Sequence, residues 1–515
     1  MTILRLPICR AMLFSFLLSC AESTLPPGPE DPAANLSQLD RFADRVQSDG
    51  LKEAWRRAVE PGSIPRSGSI GVRPLLMLTD AEVSTLRSSL KDPEDLRCLQ
   101  AIHSISLRAQ SDSDPRIAGL LNDIVRIRSQ AVDSSQAMTE EPDETSRKDE
   151  WYSRADVASK LEPLLRNIAS IRNQWAWNRS HRSYLSLMEE HRGCDAGTAA
   201  RLYKQVSLSL ASVPKLPRPP WEFESMDPAL AVRTAGRFDA ARLPERAAQV
   251  LSLLGLPANH SSLQVQQPAD VSFSGFAFYP VDPPGDVRIT LQPGAGIIPH
   301  WSAFHEFGHA AMALLTPGNS CKTLRRPFSM AVSEGCAKVA ERMFFSPEWL
   351  KLQAVPESEI SALKKWERQS ELMRMRSILA DLEFEQAFYR APEGELLSEF
   401  IRIQRSTAGI EVPHDFPSWT LKRHLAFEPL ARMDYLLARC AQAAVYHRLR
   451  ALPGGLLGVE AQQVMKEAVF AGSTGLSFEE WFRRAVGSEP DCTAWLEDYG
   501  FIESSGSHES SGRGK

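Results

Sequence analysis

The run from Trp301 to Leu315 constrains this chain more than any other stretch: nearly every residue is apolar, yet His305, Glu306 and His309 lie inside it. An apolar run of that length reads as a helix buried on all sides, and Pro317-Gly318-Asn319 supplies the stop after it. Two imidazoles and a carboxylate are costly to bury without a partner. His305-Glu306-Phe307-Gly308-His309 suggests one. Residues four apart share a helix face, so both imidazoles can reach a single metal ion while Glu306 projects beside them. Two incidental histidines on a helix are the competing reading, and their burial counts against it.

Three protein ligands and a water are the common arrangement of a catalytic zinc, so a third ligand is expected from another helix. The next helical pattern is Phe328 to Phe345, with Met330, Val332, Cys336, Val339, Met343 and Phe344 as its apolar positions. Glu334 lies inside it and is taken as the third ligand, giving one zinc per chain held by His305, His309 and Glu334. Glu341 follows two turns later on nearly the same face. From there it can support a ligand, or stand as an ordinary solvated helix carboxylate.

The rest of the 515 residues reads as mainly helical. Helical patterns cover Leu36–Ala58, Asp80–Leu90 with Thr79 or Asp80 as cap, Leu96–Leu107, Ile117–Val132, Leu161–Leu187 and Ala240–Leu254. Ser134–Glu150 is polar with no apolar period and reads as a loop. Strand character is confined to Val271–Tyr279 and Val287–Thr290, joined by the turn signal Pro283-Pro284-Gly285-Asp286. Charged residues at 24% and aromatics at 8% exclude a largely disordered chain, and a net charge of -5 excludes a generally basic nucleic-acid binder. No apolar run is long enough for a multi-pass membrane protein.

The first residues have the layout of an export signal: Arg5 and Arg10, the apolar run Ala11–Leu18, then Ser19-Cys20-Ala21. Leu17-Leu18-Ser19-Cys20 resembles a lipobox, which would place a lipid anchor on Cys20 and the protein at a bacterial cell envelope. Cleavage after Ala21 and simple secretion is the alternative. The expected organisation is a signal over 1–20, a linker over 21–35, a helical N-terminal region over 36–150, a helical zinc domain over 151–503 and a disordered tail over 504–515. Six cysteines remain beyond the signal, and their pairing is open.

The sequence resembles the helical zinc peptidases that include oligoendopeptidase F, thimet oligopeptidase and the angiotensin-converting type of peptidyl-dipeptidase. The matching residues are Phe304 to Ala310, Ser333-Glu334 with Glu341, and a later block of His424, Pro429 and Met433 to Ala438. The resemblance implies a large helical metallopeptidase with a deep substrate channel and a small hairpin or sheet beside the zinc helix. It implies short peptides as substrates, Glu306 as general base, and His424 and Tyr435 as donors to the tetrahedral oxygen. Lys422 resembles the lysine that holds a substrate carboxylate, and reads equally well as a surface lysine. Tyr435 also has a plain use as core. Two departures stand out. Lys338 replaces the acid that steadies a zinc histidine in the angiotensin-converting type, and Leu430, Ala431 and Arg432 stand where tyrosines are common. Both leave room for a catalytically silent binding lipoprotein. Endopeptidase and dipeptidyl-carboxypeptidase action both remain open.

Overall fold

A computed structural model describes residues 32–59, 78–132, 144–215, 217–222, 228–268, 276–318 and 321–502. The export signal with Cys20, the strand onset at Val271 and the tail over 504–515 lie outside the described residues. Among the described residues the fold is mainly helical with one small sheet.

Seven helices position the site: α1 (Pro32–Val59), α2 (Pro93–Asp112), α3 (Ala155–Trp177), α4 (Ile297–Leu314), α5 (Met330–Phe344), α6 (Glu357–Arg390) and α7 (Ala431–Ala451). α4 carries the apolar run and is buried almost throughout, as its composition requires. Phe344 and Trp349 pack edge-to-face on Phe304 of α4, with centroids 5.0 and 4.9 Å from its ring. α5 lies between α4 and α7. Small residues let α4 and α5 approach: a Cβ on Gly308 would lie 2.8 Å from the Ala337 Cα and 2.9 Å from the Ala340 Cβ. The opposite side of α5 is equally tight, with the Trp481 ring against Gly335.

The expected hairpin is present. β2 (Ala277–Asp282) and β3 (Asp286–Thr290) pair antiparallel, with Ala277 opposite Thr290, across the Pro283–Gly285 turn. The sheet also contains a strand that the sequence pattern did not announce. β1 (Leu263–Gln266) runs parallel to β3, with Leu263 opposite Val287. Three other elements differ from expectation. Leu161–Leu187, read as one helix, is divided between α3, which stops at Trp177, and a short helix over Tyr184–Glu189. Within Ser134–Glu150, read as a loop, residues from Glu144 onward form the helix Glu144–Tyr152, whose Tyr152 hydroxyl donates to Asp415 at 3.1 Å. Ala240–Leu254 is broken at Ala248 into short turns. The Thr79 cap is observed as a full capping box with Glu82.

The N-terminal helices share cores with the remainder of the chain. Leu51, Ala54 and Trp55 of α1 pack on Ala277, Tyr279 and Val281 of β2. Asp40 of α1 accepts from the Thr323 and Lys322 backbone N–H groups at 2.7 and 2.8 Å, just beyond α4. A disulfide joins Cys98 of α2 to Cys321, and a second joins Cys440 of α7 to Cys492. Cys194 and Cys336 remain thiols.

Candidate metal and catalytic site

α4 and α5 bring His305, His309 and Glu334 together, with one ligand atom of each lying within 4.8 Å of the others. The two imidazoles present Nε2 to one another at 3.0 Å, and Glu334 lies 3.5 Å from His305 Nε2 and 3.8 Å from His309 Nε2. Each Nδ1 faces away and is engaged: His305 with Glu341 Oε1 at 2.6 Å, His309 with Ser333 Oγ at 3.0 Å. A ring whose Nδ1–H donates carries its lone pair on Nε2. With both Nδ1 groups as donors, two Nε2 lone pairs converge beside a carboxylate, a contact that a cation between them would resolve. Glu334 Oε2 and Glu306 Oε1 are buried without a hydrogen-bond partner. A buried oxygen in that state calls for a ligand or water. This donor set of two imidazoles and a carboxylate can hold a metal ion, and zinc fits it. Phe278 of β2 stacks on the His309 ring at 5.2 Å, so the sheet packs against the site.

Burial pushes the Glu306 carboxyl up to about 8 and outweighs the pull of His305. Burial likewise raises Glu334. Glu341 behaves oppositely: burial alone would raise it, but the Lys338 ammonium and the His305 hydrogen bond hold it well below the usual carboxylate range. Lys338 Nζ lies 2.6 Å from Glu341 Oε1, the same oxygen that His305 engages. The acid absent from position 338 is thus replaced in space by Glu341, one turn further along α5. Among the expected site residues, Glu341 is a buried partner of a histidine and not a solvated carboxylate.

α7 supplies Tyr435. Its hydroxyl is driven well above its ordinary range, first by burial and then by Glu334, Glu428 and Glu306. The turn before α7 is tightly held. Leu430 sits at φ +65, and both oxygens of the buried Glu385 on α6 accept its N–H at 3.1 Å. Arg192 donates to the Pro429 carbonyl and forms an ion pair with Asp434.

His424 and Lys422 belong to a neighbouring cluster around Asp381 of α6. Lys422 Nζ lies 2.8 Å from Asp381 Oδ1, and Arg432 Nε lies 3.0 Å from Oδ2. Lys422 is therefore half-buried and paired, unlike a surface lysine. His424 is buried with neither ring nitrogen hydrogen-bonded. Burial drives it well below its ordinary range, and its strongest charged neighbours are Arg432, Asp381 and Lys422. Arg432 joins the two groups, because its guanidinium lies 5.9 Å from the centre of the Tyr435 ring. Asp381 escaped the sequence reading, and Arg432 entered it only as a departure from the tyrosines common there. Asp381 is one carboxylate in a long charged helix, and nothing in its local pattern marks it.

No family model and no curated protein matches the chain. Solved structures do. An M32 carboxypeptidase from Deinococcus radiodurans R1 is 15% identical with a TM-score of 0.58, over 91% of this chain and 99% of that one. A protein designated CHT is 14% identical with a TM-score of 0.57, over 92% of this chain and all of its own. At such identities the likeness is one of fold. Fold and site together define a mainly helical protein with a buried His-His-Glu group able to hold a metal.

Proposed function

We propose that the protein is a zinc metallopeptidase acting on short peptides, and that it cleaves from their C-terminal end. The observation that carries the peptidase reading is the convergence of His305 Nε2, His309 Nε2 and Glu334, with the unpartnered Glu306 Oε1 beside them. When bound, zinc supplies Lewis acidity, activating a water and polarising the scissile carbonyl. Glu306 takes the proton of the attacking water and passes it to the leaving amine. The Tyr435 hydroxyl donates to the oxygen on which negative charge develops. The resemblance gives His424 as a second donor to that oxygen; its charged neighbours are Arg432, Asp381 and Lys422. The sequence resemblance to the oligoendopeptidase group and the fold likeness to an M32 carboxypeptidase both support a helical zinc peptidase.

C-terminal cleavage rests on the Asp381 cluster. Lys422 and Arg432 share one buried carboxylate, so the trio keeps a net positive charge beside Tyr435. A free substrate carboxylate complements it. Export, with a lipid anchor at Cys20, is part of the same proposal. The two disulfides support an oxidising compartment, and loss of detergent partitioning in Cys20→Ser tests the anchor.

The deciding experiment measures bound metal and then hydrolysis. The wild type is expected to hold one zinc, and His305→Ala and Glu334→Ala are expected to lose it. The loaded protein should hydrolyse peptides with free C-termini and leave their C-terminal amides intact. Equal cleavage of both would favour endopeptidase action. Zinc binding with no hydrolysis of a mixed peptide library would return the chain to a binding protein.

A further inference from the structure

Lys338 is a buried cation within reach of a prospective metal site, which is an unfavourable place for a positive charge. It sits four residues after Glu334 and three before Glu341, on the face of α5 turned to α4 and α7. Its Nζ hydrogen-bonds Glu341 Oε1 at 2.6 Å, and His305 Nδ1 contacts that same oxygen at 2.6 Å. It also lies 6.0 Å from the centre of the Tyr435 ring. Two donors thus compete for one carboxylate oxygen. A carboxylate that accepts from a ligating histidine raises the basicity of that ligand. An ammonium on the same oxygen withdraws part of that effect, and adds direct repulsion toward a dication.

We propose that Lys338 is a positioning residue that weakens the grip of His305 on the metal, by sharing Glu341 Oε1, and so holds zinc affinity below what this ligand set could reach. The inference rests on the zinc site of the preceding section and deepens it. Lys338 and Glu341 act in opposite directions. Removing the carboxylate deprives His305 of its support. Removing the ammonium leaves that support undivided and takes away a neighbouring positive charge.

The test is competition for zinc between the full-length apoprotein and a chromogenic chelator, which needs no substrate. Lys338→Met is expected to bind zinc about tenfold or more tightly than wild type, and Glu341→Gln to bind it about 10- to 100-fold more weakly. Lys338→Arg keeps the charge and should stay near wild type. Unchanged or weaker zinc affinity in a Lys338→Met protein with a native circular-dichroism spectrum would overturn the proposal. If Lys338→Met does not fold, Lys338→Gln keeps a donor without the charge and is held to the same criterion. A wild type that binds no zinc would instead sink the metallopeptidase reading itself, so the two failures are distinguishable.

Discussion

Gly308 and Ala337 meet backbone to backbone: a single added β-carbon on Gly308 would stand 2.8 Å from the Ala337 Cα. Gly308 lies between the two histidines, and Ala337 lies between Glu334 and Glu341. A close contact of α4 and α5 therefore falls at the level of His305, His309 and Glu334. In an ordinary helix interior Gly→Ala stabilises by roughly 0.5–1 kcal/mol. Here overpacking at about 1–3 kcal/mol should outweigh it. Gly308→Ala is expected to lower the urea midpoint and weaken zinc binding together. A raised midpoint with wild-type zinc affinity would show that the helices can part at no cost to the site.

Tyr435→Phe keeps the ring and removes only the hydroxyl. If that hydroxyl meets the developing oxyanion, kcat should fall by about a hundredfold to a thousandfold. Zinc content and thermal midpoint should stay near wild type. A kcat near wild type on a good substrate would return Tyr435 to a packing role.

Arg432→Gln tests the carboxylate reading without touching a metal ligand. Losing a charge-assisted hydrogen bond typically costs about 1.5–3 kcal/mol, so KM for peptides with free C-termini should rise by roughly 10- to 100-fold. Any residual activity on amidated peptides should not change. Parallel loss on both substrates would mean that Arg432 only braces Tyr435.

Glu385 predicts a pH dependence of stability. Its buried carboxyl is raised from 4.5 to about 8. The folded state therefore binds more protons than the unfolded state across that interval. The stabilising contribution is full below pH 4.5 and declines as the pH rises toward about 8. Glu385→Gln still offers an acceptor to the Leu430 N–H and carries no such penalty. Its thermal midpoint relative to wild type should be higher at pH 8 than at pH 5. The same difference at both values would remove Glu385 as the source.

The metal group was legible because its signal is local: two histidines four apart on an apolar helix, then Glu334 and Glu341 two turns apart on the next. Glu341 could be placed on the right face but not given a partner, since only the crossing of α4 and α5 brings it to His305. Lys338 looked like a defect in the sequence because the acid expected there has its counterpart three residues on. The partners of Asp381, Arg432 and Glu385 were invisible because each acts across elements far apart in the chain. β1 is four residues long and pairs with a strand beyond a long connection, so its alternation was too brief to register. The helix Glu144–Tyr152 has no apolar period of its own, and its aromatic end at Trp151 and Tyr152 rests on Phe416.

The Cys98–Cys321 bridge spans 223 residues and ends at Cys321, a few residues beyond α4 in the chain. It makes the host in which the chain is produced a structural variable. In a reducing cytosol both this bridge and Cys440–Cys492 would be missing, at a cost typically of about 2–5 kcal/mol for each native disulfide lost from a small domain. The ligand group itself is assembled by noncovalent contact of α4 with α5. Material from an oxidising and a reducing host is therefore expected to differ in yield and melting temperature, while each properly folded molecule takes up the same single zinc.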